Sequence, residues 1–358
     1  MPTRTYDGSG VDSLLDRLGL GGFDWTTAEA TSGRNDNWLG RTAGGRRIFV
    51  KTIVGSAVEV AHCVRRTAAF YRIHTGAPPS ALRTTTLLGQ DEQAAIQVFD
   101  CLDGARDGRE LARDGAFDQE LGAQAGAAVG ALHAVRPARL AELEESLPPL
   151  PRQYSLSALS AEVFYEASAA QLEAWRLLQP DPGVTRALTA LERESEEAPR
   201  VPVHGDVCLD QFLIADGTLH LIDWEAFGLG DPARDVGDFL GEWLHHVVLG
   251  FLGDRAGNGS GRAVPVPTIA LTPNWRPWRA ARPTVEAFWD AYRTAQPVLS
   301  AGLAPRAVRY ACRHLLLRML TDAQFRPRLD GSGHTLFRLA KTILAAPERF
   351  TTILGLEG

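Results

Sequence analysis

Residues 203–225 read VHGDVCLDQFLIADGTLHLIDWE, and the interpretation of the whole chain turns on them. His204-Gly205-Asp206 lies between apolar residues, and Gln211 follows five positions after the aspartate. Asp216-Gly217 is a two-residue hairpin signal, after which the largely apolar run 219–222 delivers Asp223. Two carboxylates and an amide on two short strands are what phosphoryl transfer requires. One carboxylate orients the attacking hydroxyl and accepts its proton; the amide and the other carboxylate hold a metal on the phosphates. Asp206 is the candidate for the first task. Gln211 and Asp223 are the candidates for the second, since Mg2+ takes hard oxygen ligands. Glu225 would point to the same side as Asp223, as a further metal or substrate ligand or as a solvated carboxylate. His204 reads as a hydrogen-bonded structural histidine, and Asp235 as an acceptor for backbone N–H groups of the catalytic loop.

Towards the N-terminus, strands are expected over residues 25–31, 38–42 and 47–54, with Gly44-Gly45 as a hairpin turn. The third carries Lys51 within IFVKTIV. A lysine stem buried on a sheet needs an anionic partner for its ammonium. A nucleotide phosphate would supply one, and Glu59 another; Glu59 is the only acidic residue between Gly55 and Gln90 and lies in the first turn of a helix expected over 56–74. The turn SGRNDN, with Ser32 and Gly33, can drape backbone N–H groups over phosphates. A further strand over 93–99 leads to Asp100-Cys101-Leu102, where backbone groups of Asp100 and Leu102 would face a purine edge. A short helix over 10–20, capped by Asp12 or Ser13, precedes the strands.

Beyond residue 100 the pattern is helical, over 118–135, 158–178 and 184–196, then over the second half of 228–248, and again over 284–294, 306–324 and 335–344. The first of these is rich in Ala and Gly and can pack closely on its neighbours. Residues 253–283, rich in Gly, Pro and Arg and holding Trp275 and Trp278, are expected to form a long loop. His245-His246 reads as helix surface. The expected architecture is α+β and bilobal: a small antiparallel β-rich N-lobe over 1–100 and a large, mostly helical C-lobe over 101–358.

Composition narrows the function. Hydrophobic residues make up 45% of the 358 and charged residues 22%, as in ordinary globular proteins. A formal net charge of −6, without a basic run, leaves no nucleic-acid footprint. Cys63, Cys101, Cys208 and Cys312 are scattered without a CxxC pair, which argues for reduced thiols rather than a metal cluster or disulfide frame. No signal-peptide or membrane-spanning run is evident, so a cytoplasmic protein is expected. Of 37 basic residues only Lys51 and Lys341 are lysine, which marks Lys51 out, since ammonium and guanidinium are not equivalent at a phosphate.

With these residues in place, the chain resembles the aminoglycoside phosphotransferase family of the protein-kinase-like superfamily, which also holds choline and fructosamine kinases. The HGDxxxxN motif is matched at residues 204–211 with Gln211 in place of Asn, and the IDxE pattern at 222–225. A GDPxxDxA-like segment lies at 230–237, ending in Gly237, and LHAV stands at 132–135. The resemblance implies a kinase fold, ATP (or GTP) and Mg2+ as cofactors, and Lys51 as the phosphate lysine with Glu59 its helix partner. It implies a hydroxyl-bearing acceptor, without nucleic-acid or membrane partners. The segments HGDVCLDQFL and LIDWEAFGLGDPARDVGDFLGEWL also look like kinase-like subunits of class V lanthipeptide systems. That likeness implies a Ser or Thr acceptor on a precursor peptide and a partner tailoring enzyme. An aminoglycoside kinase is the alternative, needing acidic groups that Glu225, Asp238, Glu242 and Asp290 could supply. A scaffold that binds peptide without transfer is another.

Overall fold

The computed structural model describes residues 8–31, 33, 35–76, 81–135, 156, 159, 161–257, 271–296, 299–300 and 302–357. Its N-terminal part is an antiparallel sheet of five strands: β1 (Glu29–Thr31), β2 (Asp36–Arg41), β3 (Arg47–Thr52), β4 (Leu87–Asp91) and β5 (Ile96–Asp100), in the order β1-β2-β3-β5-β4. Alternation along β3 sends Ile48 and Val50 to one face and Phe49 and Lys51 to the other. Ile48, Val50, Ile96 and Val98 bury against Val11, Leu14 and Leu15 of α1 (Ser9–Arg17). The opposite face carries Phe49 beside Phe99, and Lys51 opposite Gln97. The first strand is shorter than its sequence suggests. The cap of α1 is Gly8, while Asp12 instead accepts the Phe23 amide at 2.8 Å and so closes the turn after the helix.

Helix α2 (Ala57–Gly76) crosses from the sheet to the rest of the molecule. Val60 and Val64 pack with Ile53, and one turn further on Phe70 stacks on Trp224. Arg66, fully buried, donates to the Phe227 carbonyl at 2.8 Å.

After β6 (Arg106–Asp107) the described chain is mostly helical: α3 (Gly108–Arg113), α4 (Gln119–His133), α5 (Ala161–Glu166), α6 (Ala169–Leu178), α7 (Pro182–Glu197), α8 (Ala233–Gly257), α9 (Arg276–Ala295), α10 (Leu303–Asp322), α11 (Gly331–Leu344) and α12 (Pro347–Leu354). Interleaved are β7 (Val201–Val203), β8 (Phe212–Ala215), β9 (Thr218–Leu221) and β10 (Gly228–Gly230). β8 and β9 form the hairpin expected from Asp216-Gly217, both of which have positive φ (49° and 71°), the twist-compatible turn.

Helix α4 behaves as its composition predicts. A Cβ on Gly122, Gly126 or Gly130 would lie 2.4, 2.0 and 3.1 Å from the carbonyl oxygens of Thr284, Phe288 and Tyr292. The glycines, four apart, therefore let α9 lie directly on α4. The expected helix over 158–178 is broken in two, because Ser168 and Gln171 form a capping box that starts α6.

Among the described residues of the expected loop over 253–283, most are helical. α8 runs to Gly257 and α9 begins at Arg276, with Pro277 in its first turn, where a missing N–H costs nothing. Residues 258–270 lie outside the described residues. Trp278 is fully buried and donates to the Ile353 carbonyl at 3.0 Å, so it anchors this segment in the core.

Candidate active site

Lys51 sits at the meeting point of the sheet and the hairpin. It is 5% exposed, and its Nζ lies 2.5 Å from Asp223 Oδ1 and 2.7 Å from Glu225 Oε2. Burial disfavours its charge, but the two carboxylates outweigh that and raise its pKa, so the ammonium persists at any physiological pH. The expected partner was Glu59, and here the structure corrects the sequence. Glu59 closes a capping box at the start of α2: its Oε2 accepts Ser56 N at 2.8 Å, and its own amide donates to Ser56 Oγ at 3.3 Å. Local capping geometry claims a carboxylate that simple proximity in sequence assigned to the lysine.

Asp223 occupies a left-handed conformation, φ 68° and ψ 66°, unusual for a residue other than glycine. Its neighbour holds it there: Trp224 is buried beneath Phe70 and donates through Nε1 to Thr84 Oγ1 at 2.9 Å. Asn35, buried within the polar turn between β1 and β2, completes the cluster. Its Nδ2 donates to Glu225 Oε2 at 3.1 Å, and its Oδ1 accepts Val54 N at 3.0 Å. Gly33 lies exposed in the same turn; Ser32 is outside the described residues.

The loop at residues 204–206 is clamped from beneath, as expected, by Asp235. Its two oxygens accept His204 N at 2.7 Å and Gly205 N at 2.8 Å. Burial opposes this charge, yet the His133 contact at 3.0 Å and the backbone donors hold Asp235 below the usual carboxylate range. His133 in turn meets Tyr292 OH at 3.0 Å, a contact that the glycine face of α4 allows. His204 is fully buried. Its Nε2 donates to the Ile222 carbonyl at 2.8 Å, and its Nδ1 accepts Asp206 N at 3.3 Å, so the histidine is structural. Gly205 has φ 83°, and a Cβ there would lie 2.6 Å from the Ala226 carbonyl, which explains the glycine before the aspartate.

Asp206 projects from this clamp half-buried, with its pKa raised by burial and by the nearby Asp238 charge. Ile222 N donates to the Gln211 carbonyl at 2.9 Å, so the backbone that carries Gln211 adjoins the strand end that carries Asp223. The donor set is oxygen throughout: the Asp223 and Glu225 carboxylates and the Gln211 amide. That suits a hard divalent cation such as Mg2+.

On the other flank of Asp206 lies a second cluster that sequence reading did not foresee. Glu242 of α8 is 2% exposed, and Arg109 (3.3 Å), Arg318 and His314 (2.8 Å) all converge on its carboxylate. His314 also reaches Asp238 at 3.3 Å, Arg109 reaches Asp210 at 2.9 Å, and Leu209 N donates to Glu242 at 3.4 Å. Burial works against a charged His314, but the two carboxylates push it up to about 9. Cys208, Glu242 and His314 have metal-like spacing. A protonated His314 has no lone pair to offer, and two guanidiniums already occupy Glu242. The cluster is an ion-pair hub. His245, expected on the surface, is buried and pairs with Asp322 at 2.9 Å.

At the hinge, Asp100 forms a two-pronged pair with Arg46 (3.0 and 2.9 Å) and its amide donates to the Thr86 carbonyl. The Leu102 carbonyl accepts Ala105 N at 3.3 Å.

The profile of the APH phosphotransferase enzyme family matches residues 27–279, well over half of the chain. The chain belongs to this family. The reaction class that goes with it is transfer of a phosphoryl group to a hydroxyl. No curated protein matches the sequence closely enough to count as a relative. Among solved structures the chain is similar to amicoumacin kinase hAmiN, solved with AMP-PNP, Ca2+ and Ami (12% identity, 96% of this chain and 94% of that one, TM-score 0.55). It is also similar to a putative fructosamine-3-kinase from Thermobifida fusca YX-ER1 (15%, 95% and 98%, 0.52). A third is choline kinase LicA from Streptococcus pneumoniae (16%, 89% and 93%, 0.50). At these identities the likeness establishes the fold, which is kinase-like and α+β. Among the described residues no helix is long and apolar enough to cross a membrane.

Thus Lys51, Asp223 and Glu225 come together as a contact set, and the Gln211 backbone adjoins them. Asp206 stands on the same loop, whereas Glu59 is turned to its own helix. Asn35 and Cys208 had no assigned place in the sequence, and Glu242, considered there only as an acid for a polycationic acceptor, is instead the centre of the hub. An asparagine inside the SGRNDN turn was the only visible hint of the first.

Proposed function

We propose that the protein is a nucleotide- and Mg2+-dependent kinase acting on an alcohol, with Asp206 as the base that orients and deprotonates the hydroxyl. In this reading Lys51 binds the nucleotide phosphates and Gln211 and Asp223 hold the cation, with Glu225 beside them. The cation's contribution is neutralisation of phosphate charge. Gly33, with Ser32, covers the phosphates, and the backbone at Asp100 and Leu102 receives the base of ATP or GTP. Residues 1–100 carry the nucleotide and 101–358 the acceptor. The observation that carries the reading is the 2.5 Å contact between Lys51 and Asp223, which joins the sheet to the hairpin carrying the acids.

For the acceptor we favour the Ser or Thr hydroxyl of a ribosomally made precursor peptide, as in lanthipeptide tailoring, over a polycationic aminoglycoside. Support comes from the acids that a polycation would need. Glu242 faces three cations, Asp238 contacts His314 and lies 3.8 Å from Arg234, and Glu225 faces Lys51. The test is mass spectrometry after incubation with Mg2+ and ATP or GTP, across aminoglycosides and Ser/Thr-containing precursor peptides. A gain of one phosphate on peptide is expected, and Asp206→Ala should lower turnover by on the order of 10²-fold or more. Equal turnover in the variant removes Asp206 from its role. Phosphate on an aminoglycoside replaces the acceptor. Peptide binding that survives Lys51→Ala without any phosphoproduct identifies a scaffold.

A further inference from the structure

An aspartate leaves the rotation of its terminal carboxylate loosely defined, because the sp³–sp² torsion has a broad minimum. A base that must present one oxygen to a substrate hydroxyl needs something to hold the other. Beneath Asp206 the clamp through Asp235 reaches only the backbone of His204 and Gly205. The side chain has one nearer partner: Cys208 Sγ lies 3.2 Å from Asp206 Oδ1.

The geometry points to Cys208 as a positioning residue for Asp206, its thiol donating to Oδ1 so that Oδ2 is turned to the acceptor hydroxyl. This rests on Asp206 being the base. The thiol is a weak donor, but it is fixed in place. Cys208 N donates to the Asp206 carbonyl at 3.0 Å, and the Cys208 carbonyl accepts Gln211 N at 3.0 Å, so the residue is locked into the turn it serves. Its sulfur lies within 4.8 Å of ligand atoms of Glu242 and His314. The hub grips the next two residues through Leu209 N and Asp210. Burial, followed by the charges of Asp206 and Glu242, holds the thiol protonated, so the S–H is available and the sulfur is not a nucleophile. The charged groups acting on Asp206 are Asp238 from α8, His204 from its own loop and Asp223 from the hairpin end. Those acting on Cys208 are Asp206, Glu242, Arg318 and Asp210.

The test compares Cys208→Ala with Cys208→Ser, and Cys208→Val with Cys208→Thr; the second pair differs in a hydroxyl at nearly constant volume. One readout needs no catalysis: the carboxyl carbon of Asp206 in ¹³C NMR, identified by its loss in Asp206→Asn. Without a donor, in the Ala and Val proteins, Asp206 should titrate about 0.5–1 pH unit higher than in wild type. Ser and Thr should return it to the wild-type position or below. The second readout is hydrolysis of MgATP with water as acceptor. Here kcat should fall about 3–10-fold in the Ala and Val proteins, with KM for ATP within twofold of wild type and rescue by Ser and Thr. A titration equal in all variants, or a loss that Ser and Thr do not rescue, overturns the proposal. If the alanine protein does not fold, the valine and threonine pair decides by the same criteria. Absence of wild-type hydrolysis, with the expected titration shifts intact, would count against the kinase reading and leave the Cys208 contact standing.

Discussion

Two clusters of charge flank Asp206, and they are built on opposite principles. In the cluster at Lys51 one buried lysine faces two carboxylates, whose side chains remain 28% and 21% exposed. In the cluster at Glu242 one carboxylate, 3% exposed in its side chain, faces two arginines and a histidine. The first cluster carries excess negative charge that is open to solvent, the condition for attracting a divalent cation and exchanging a carboxylate contact for a phosphate. The second is closed and compensated, and its work is to hold the loop 208–210 in place. Acidic residues near an active site therefore do not all belong to substrate binding. Burial and partner count separate those that receive a ligand from those that hold the backbone.

The comparison can be broken most decisively at Glu242. Glu242→Ala strands three buried or half-buried cations and should cost about 3–5 kcal/mol in urea unfolding. A loss under about 1 kcal/mol would mean that the hub is not closed. Lys51→Ala should act on function first: turnover should fall about 10²–10³-fold, and the rise in melting temperature expected of wild type with MgATP should be absent. A variant that unfolds as readily as Glu242→Ala while retaining turnover would invert the two roles.

The hub also predicts a pH dependence. His314 titrates at about 9 in the folded protein against 6.5 ordinarily, so its contribution is complete below about 6.5 and is lost as pH rises through 9. Glu242, held well below its ordinary range against the opposing effect of burial, contributes above about 4.5 and loses that contribution as pH falls. Unfolding stability should therefore decline between pH 7 and 9 by at most about 1.4 kcal/mol per unit from this histidine. His314→Gln should remove that part of the slope, and an unchanged slope assigns it elsewhere. The smallest effect is expected at Asn35, which bridges Val54 and Glu225. Asn35→Ala should cost about 1–2 kcal/mol and raise KM for ATP, with little change in kcat. An unchanged KM would show that the polar turn is not coupled to the phosphate side.

Much of this was legible from local pattern. The hairpin over 212–221 and the alternation that puts Lys51 on the face opposite Ile48 and Val50 follow from short-range rules of turn and period, whereas the Asp235 clamp, though expected, spans about 30 residues of chain. The misreadings came where two rules competed. Glu59 was the nearest acid in sequence to Lys51, but it lies three residues after Ser56 at a helix start, and capping geometry took its carboxylate. The acid that meets the lysine most closely stands 172 residues away. Residues 276–283 looked like loop because of their prolines, yet Pro277 occupies the first helical turn, which tolerates it, Pro283 is carried inside the helix, and Trp278 anchors the segment in the core.

The sequence alone determined the reaction class and the α+β architecture, because turn chemistry, strand period and motif spacing act over a few residues and need no tertiary partner. Only the folded chain decided which charges face each other. Ion pairing depends on distance in space and on burial, and neither can be read along the chain. The same is true of the thiol beside Asp206. Cys208 was one of four unremarkable cysteines until the turn at residues 206–211 brought its sulfur against the Asp206 carboxylate.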